Sequence, residues 1–170
     1  MRVRQLLLLV PSVLTLGLVA SGSSAADSSS VRSQLLGTNE NPIVLSDGNG
    51  SFDAQILNGE ISFRLSYRGL VDVLQAHIHV AHPWDNGGIA VFLCTNLGNT
   101  PAGATERPCP ESGTVSGTIL PDDVQAVSPI AAGDLEGLVQ LLRDGATYVN
   151  VHTVNAPGGE LRGQTNPRRR

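Results

Sequence analysis

Phe52, Ala54 and Ile56 alternate with polar residues, and beyond the dipeptide Asn58-Gly59 the alternation resumes at Ile61, Phe63, Leu65 and Tyr67. A two-residue period places all the apolar side chains of such a stretch on one face of an extended strand. Asn-Gly supplies the positive φ angles of a tight type I′ turn, so these two stretches are expected to form a β-hairpin with one buried face. The same period returns along the chain. Ala76, Ile78 and Val80 alternate against Gln75, His77 and His79, and Ile89 to Leu93 form a continuous apolar run of the kind buried on both faces. Val115, Gly117 and Ile119 alternate again, as do Val149, Val151 and Thr153 against Tyr148, Asn150 and His152. The turn-forming residues Asn155 to Gly159 then predict a terminal hairpin running into Glu160–Gln164. Only Leu135, Leu138, Val139 and Leu142 have helical spacing; with Asp134 as N-cap and Gly145 just past the end, they predict one short helix near residues 134–143. Seven or eight short strands and one helix make an all-β domain, either a two-sheet sandwich or a closed Greek-key barrel.

The N-terminus has a separate logic. Arg2 and Arg4 precede an apolar run from Leu6 to Ala20, followed by small residues ending Ser24-Ala25-Ala26. This is the layout of a cleavable secretory signal over residues 1–26, and the run, broken by Pro11, is short for a membrane span of about 20 residues. The expected product is secreted or extracytoplasmic, extracellular or periplasmic, with no membrane span after cleavage. Residues 27–30 are small and polar and read as a flexible lead-in, 31–165 as one β domain, and 166–170, ending in three Arg, as a basic tail. Without the signal, nine Arg and no Lys stand against fifteen Asp and Glu, a formal charge of −6 that argues against nucleic acid as a partner. Cys94 and Cys109 are the only cysteines, and in an exported chain they are expected to form one disulfide; Cys-x-x-Cys redox or metal spacing is absent.

All four histidines fall in two places, His77-Ile78-His79-Val80-Ala81-His82 and Val151-His152-Thr153. His77 and His79 share a strand face, and His152 shares one with Tyr148 and Asn150. If the two strands are neighbours, three imidazoles converge, and three His plus a water is an established zinc arrangement. Glu160 is a candidate fourth ligand or acceptor for a His N–H. The other reading, which the sequence favours, has these histidines bonding to backbone carbonyls and loop side chains as fold-specifying groups. No Gly-x-Ser-x-Gly elbow, His-Glu-x-x-His, Walker loop or dinucleotide fingerprint is present, so no catalytic residue is assigned.

Four segments taken together resemble the CHRD domain of chordin and of single-domain secreted microbial proteins: Leu36-Gly37-Thr38-Asn39-Glu40-Asn41-Pro42, Ala76-His77-Ile78-His79, Tyr148-Val149-Asn150-Val151-His152-Thr153, and Gly159-Glu160-Leu161-Arg162-Gly163-Gln164. The resemblance runs from about Val31 to Gln164. It implies an immunoglobulin-like β-sandwich or barrel and an extracellular setting, in a family with no firmly assigned activity. Two departures stand out: the usual paired prolines after the acidic residue are reduced to Pro42, and Ala81 stands where a Gly is common. His-Ile-His also resembles the His-x-His strand of copper–zinc superoxide dismutase, whose two metals need more histidines than the four here. The expected function is an exported binding or structural module with no assigned catalytic activity, its ligand a protein, a glycan or a second copy of itself. The alternative is a small mononuclear zinc or copper protein, or metalloenzyme, using His77, His79 and His152.

Overall fold

The computed structural model describes residues 28–167, so the secretory signal expected over 1–26 and the three terminal arginines lie outside the described residues. Nine strands and one α-helix follow one another: β1 (Ser28–Leu36), β2 (Asn49–Leu57), β3 (Glu60–Arg68), β4 (Val73–Val80), β5 (Gly88–Thr95), β6 (Gly113–Ile119), α1 (Leu135–Asp144), β7 (Thr147–Thr153), β8 (Leu161–Gln164) and β9 (Asn166–Pro167). They form one antiparallel sheet in the order β5-β4-β7-β8-β1-β2-β3-β6, with β9 beside β1, curled until its two edge strands approach each other. The all-β expectation holds, and the architecture is a nearly closed barrel.

The hairpin is where the alternation puts it. β2 and β3 pair from Leu57 with Glu60 to Asn49 with Arg68, and the turn residues Asn58 and Gly59 have φ of 50° and 84°. Phe52, Ile56, Ile61 and Leu65 are sealed inside, together with Leu35, Ile78, Leu93, Ile119 and Leu161. α1 closes the core with Leu138 and Leu142; the Asp134 carboxylate caps it by accepting from Gly137 N–H at 2.8 Å, and Gly145 ends it at φ 69°. The terminal hairpin is also present, with β7 and β8 paired from Tyr148 with Gln164 to Val151 with Leu161.

Two boundaries differ from expectation. Residues 28–30, read as a flexible lead-in, already belong to β1 and pair with Gln55–Leu57, because β2 is long enough to offer them backbone partners. Asn166 and Pro167, assigned to the tail, pair with Arg32 and Val31 as β9.

The seam between the edges is closed by loops. Thr95 N–H donates to Arg107 C=O at 2.9 Å, the Arg107 guanidinium donates to Thr118 C=O at 2.8 Å, and Gln125 N–H donates to Ala90 C=O at 2.8 Å. These bonds engage part of the open backbone of both edge strands. Cys94, on β5, is bridged to Cys109 with their Cα atoms 5.1 Å apart, fastening the loop that carries Arg107. No helix among the described residues is long and apolar enough to cross a membrane.

Ile78 has no exposed surface and sits mid-strand in the core. Ile78→Ala is therefore expected to lower stability by about 2–4 kcal/mol in denaturant titration, the scale of a core cavity; a loss below about 0.5 kcal/mol, typical of surface positions, would contradict this burial.

Candidate histidine site

β4 and β7 are antiparallel neighbours in a register that sets His77 opposite Asn150 and His79 opposite Tyr148. Ala76, Ile78, Val149 and Val151 turn to the core, so His77, His79, Tyr148, Asn150 and His152 share the other face. That face is not open to water: every residue of β7 is buried, and His77, His79 and His152 are only 0%, 7% and 6% exposed. The alternating pattern of a half-buried strand is thus buried on both sides, the outer one by the segments that follow β1, β4 and β7.

Those segments orient the imidazoles. His79 Nδ1 lies 2.9 Å from Gly87 C=O, and His152 Nδ1 lies 2.9 Å from Pro157 C=O. Since a carbonyl only accepts, both Nδ1 atoms carry the proton, and each neutral ring then has a bare Nε2. His152 Nε2 lies 3.2 Å from His77 Nδ1 and 3.0 Å from Asn150 Oδ1. His79 Nε2 and His77 Nε2 are buried with no hydrogen-bond partner. One ligand nitrogen from each of the three rings falls within 4.8 Å of the others. Phe92, on β5, meets the His77 ring edge-on at 4.4 Å.

Burial holds the trio neutral. It drives the His77 imidazole far below the ordinary histidine value, with His152 and His79 adding to the shift, and it lowers His79 to about 4 against the opposing hydrogen bond to Gly87. His152 is lowered by burial too, against its bond to Pro157. Glu40 is buried beside them, and desolvation raises its carboxyl despite Arg162 and hydrogen bonding from Asn41 and Asn150.

A stack of rings braces one ligand. The Arg162 guanidinium lies 3.5 Å from the Tyr148 ring centre, and Tyr148 lies parallel to His79 at 4.6 Å. Arg162 also donates to Asn86 Oδ1 at 3.0 Å and to Asp85 C=O at 2.6 Å, fixing the segment that presents Gly87. A Cβ at Gly87 would run into Val80 C=O, and one at Gly159 into the Glu40 carboxylate, so both turns must be glycine to pack this closely.

Of the sequence candidates, His77, His79 and His152 come together and Glu160 does not. Its carboxylate accepts from Ser46 Oγ at 2.6 Å and from Thr153 Oγ1 at 2.5 Å, fastening the segment after β1 to β7, because a carboxylate next to two hydroxyls satisfies itself there. Glu160 does not supply the Nδ1 partners of His79 and His152; backbone carbonyls do. His82 is exposed and apart. Phe92 and Pro157 read in the sequence only as parts of a buried strand and a turn, and Gly87 not at all; Asn86-Gly87-Gly88 is a turn signal, but nothing local ties it to a histidine.

The motif residues gather around this site. Asn39 Nδ2 donates to Arg162 C=O at 3.1 Å, Asn41 Nδ2 to Trp84 C=O at 2.7 Å, and Gln164 Nε2 to Ala81 C=O at 3.0 Å. Gly37 accepts from Val44 N–H as that segment folds back, the Asn41–Pro42 peptide is cis, and Gly163 lies against Ser33 and Gln34 of β1. Comparison with curated proteins and with solved structures gives no match. The family model for the CHRD domain matches residues 31–165, nearly all of the ordered chain. The chain belongs to the CHRD domain family, whose fold is a small extracellular-type module.

Proposed function

We propose that this chain is an exported binding module and that its histidine site binds one transition-metal ion, zinc or copper, through His77, His79 and His152. This departs from the fold-specifying role the sequence favours for these residues. The observation that carries it is the distribution of protons. With the Nδ1 protons of His79 and His152 committed to carbonyls, the bare Nε2 of His152 faces Asn150 Oδ1 at 3.0 Å, acceptor to acceptor, and His77 Nε2 and His79 Nε2 are buried with no hydrogen-bond partner. Buried acceptors facing one another are unfavourable, and a cation between them removes the conflict. A carbonyl on the second nitrogen is also how metal-bound histidines are held.

The distances are compatible with this use. Nitrogens bound tetrahedrally to one zinc at 2.0–2.1 Å are about 3.3 Å apart. One pair here is at 3.2 Å, and the widest separation of 4.8 Å needs a ring movement of about 1–1.5 Å. Three imidazoles suit zinc and copper, with copper(II) expected to bind tighter. Such an ion would leave a position for water or a partner's ligand; no reaction is assigned to it. Export rests on the signal pattern at 1–26, supported by the disulfide and the extracellular-type family.

Titration of tag-free, chelator-treated protein with zinc or copper(II) should give one equivalent bound at micromolar affinity or better, lost in His79→Ala and kept in His82→Ala. Absence of stoichiometric binding, or equal binding by His79→Ala, would return the trio to a structural role.

The metal-free protein should also lose stability in acid. Below pH 6.5 the unfolded chain protonates its histidines while the folded trio stays neutral, His79 down to about 4. Each such group costs up to about 1.4 kcal/mol per pH unit across that window. Glu40, raised by burial, acts in the opposite sense. Urea midpoints between pH 7 and 5 should therefore fall more steeply for wild type than for His79→Ala, and parallel curves would count against neutral burial.

The mature N-terminus of the exported protein should lie at or within a few residues of Asp27 by intact mass. Retention of residues 1–20 would defeat the signal assignment.

A further inference from the structure

Beyond Arg162, on the side away from the histidines, β1, β8, β9 and the segment after β4 enclose an open cleft of about 290 Å³. Pro83 and Trp84 form one wall, and four side-chain amides, from Gln34, Asn39, Gln164 and Asn166, line the rest with Arg162. Each amide directs its NH2 group into the protein: Gln34 to Gly50 C=O, Asn39 to Arg162 C=O, Gln164 to Ala81 and Gly145 C=O, and Asn166 to Gln164 C=O. The carbonyl oxygens of Gln34, Asn39 and Asn166 accept no hydrogen bond among the described residues and are left as acceptors for a ligand, whereas Gln164 Oε1, also without a partner, is fully buried and out of a ligand's direct reach.

Charge narrows what can supply them. No carboxylate lines the cleft, so a cation has no counter-charge there. The one guanidinium is already engaged by Asn86, Asp85 and the Tyr148 ring, so an anion has little to bind. Trp84 adds an apolar surface: the residue is 68% exposed, on a backbone at φ 72° that a bulky residue rarely adopts. That conformation is held by the 2.7 Å bond from Asn41 to Trp84 C=O and by the bond from Asn86 to Asn41 C=O. A strained, solvent-facing aromatic kept in place by neighbouring loops is a mark of a recognition surface.

We propose that this cleft binds a neutral saccharide. Sugar hydroxyls are donors that match the free amide oxygens, and the C–H face of a pyranose matches an exposed indole. No charge is needed on either side. The site uses none of the metal-binding nitrogens, so it stands whether or not a metal binds.

Trp84 is the only tryptophan of the chain, so intrinsic fluorescence reports this wall alone. Metal-free mature protein titrated with neutral β-1,4-glucan, β-1,3-glucan, chitin and mannan pentasaccharides should show a saturable emission change with at least one. Calorimetry should find that sugar bound at least about tenfold more weakly by Trp84→Ala. Gln34→Ala, at an exposed strand position, should weaken it as well, and His79→Ala should leave it unchanged. Sedimentation with the matching insoluble polysaccharide distinguishes a surface glycan from a free oligosaccharide as the source. No saturable change with any sugar in either arm would overturn the proposal. So would undiminished affinity in Trp84→Ala, or a preference for a uronic-acid or sulfated oligosaccharide over its neutral counterpart.

Discussion

The pairing of β4 with β7 is the constraint from which the rest of this molecule follows. Ala76 opposite Val151 and Ile78 opposite Val149 put four apolar side chains into the core with no exposed surface. A slip of one residue would drive imidazoles and an amide into that core, so hydrophobic burial fixes the register strongly. The histidines are then held on the reverse face of adjacent strands. Nothing about their own chemistry selects that placement; it is the other side of a packing decision.

A polar face of five neighbouring histidine, tyrosine and asparagine side chains would serve well enough in water, yet here it is covered. Covering it commits the protein to satisfying every group there, since buried polar atoms without partners are costly. The CHRD motif residues hold the covering segments in place, while His77 Nε2 and His79 Nε2 stay without a partner. Glu160 fastens Ser46 to Thr153, Asn39 holds the β8 backbone at Arg162, and Arg162 holds the segment that brings the Gly87 carbonyl to His79. Residues that look like a scattered family signature in the sequence are fasteners of three connecting segments over one patch of sheet.

This also explains which parts were legible beforehand. The β2–β3 hairpin and α1 are specified locally: Asn58-Gly59 needs two positive φ angles, and Asp134 with Gly145 caps both helix ends. Two cysteines allow one bridge. The facing of His77, His79 and His152 followed from strand period once β4 and β7 were neighbours, but that neighbourhood is a long-range fact. The cover over them is longer-range still, since Ser46 and Glu160 meet across 114 positions of sequence. Tyr148, Asn150 and His152 have the pattern of a solvated face, and only the returning segments reveal them as buried. Glu160 failed as a candidate ligand for the same reason: its partner hydroxyl on Ser46 is invisible from the Gly159–Gln164 motif. Ser28–Ser30 carry no apolar period, and became strand because β2 continues past the last core residue opposite them.

Arg162 connects the two faces of this chemistry. Its guanidinium plane rests on Tyr148, which rests on His79, while its N–H groups reach the backbone and side chain of the segment that also carries Trp84. An arginine can fill this post where a lysine cannot, because the planar fork stacks and donates in two directions at once. Its charge also bears on the histidine site. Held beside a buried, neutral trio, it adds to the burial that disfavours protonation of His79. On the cleft side its N–H groups are already engaged by oxygens and its plane by a ring, so they hold the loop in place. One residue thus braces a ring of the histidine cluster and lines the cleft, while burial does most to keep His79 neutral and Arg162 adds to it.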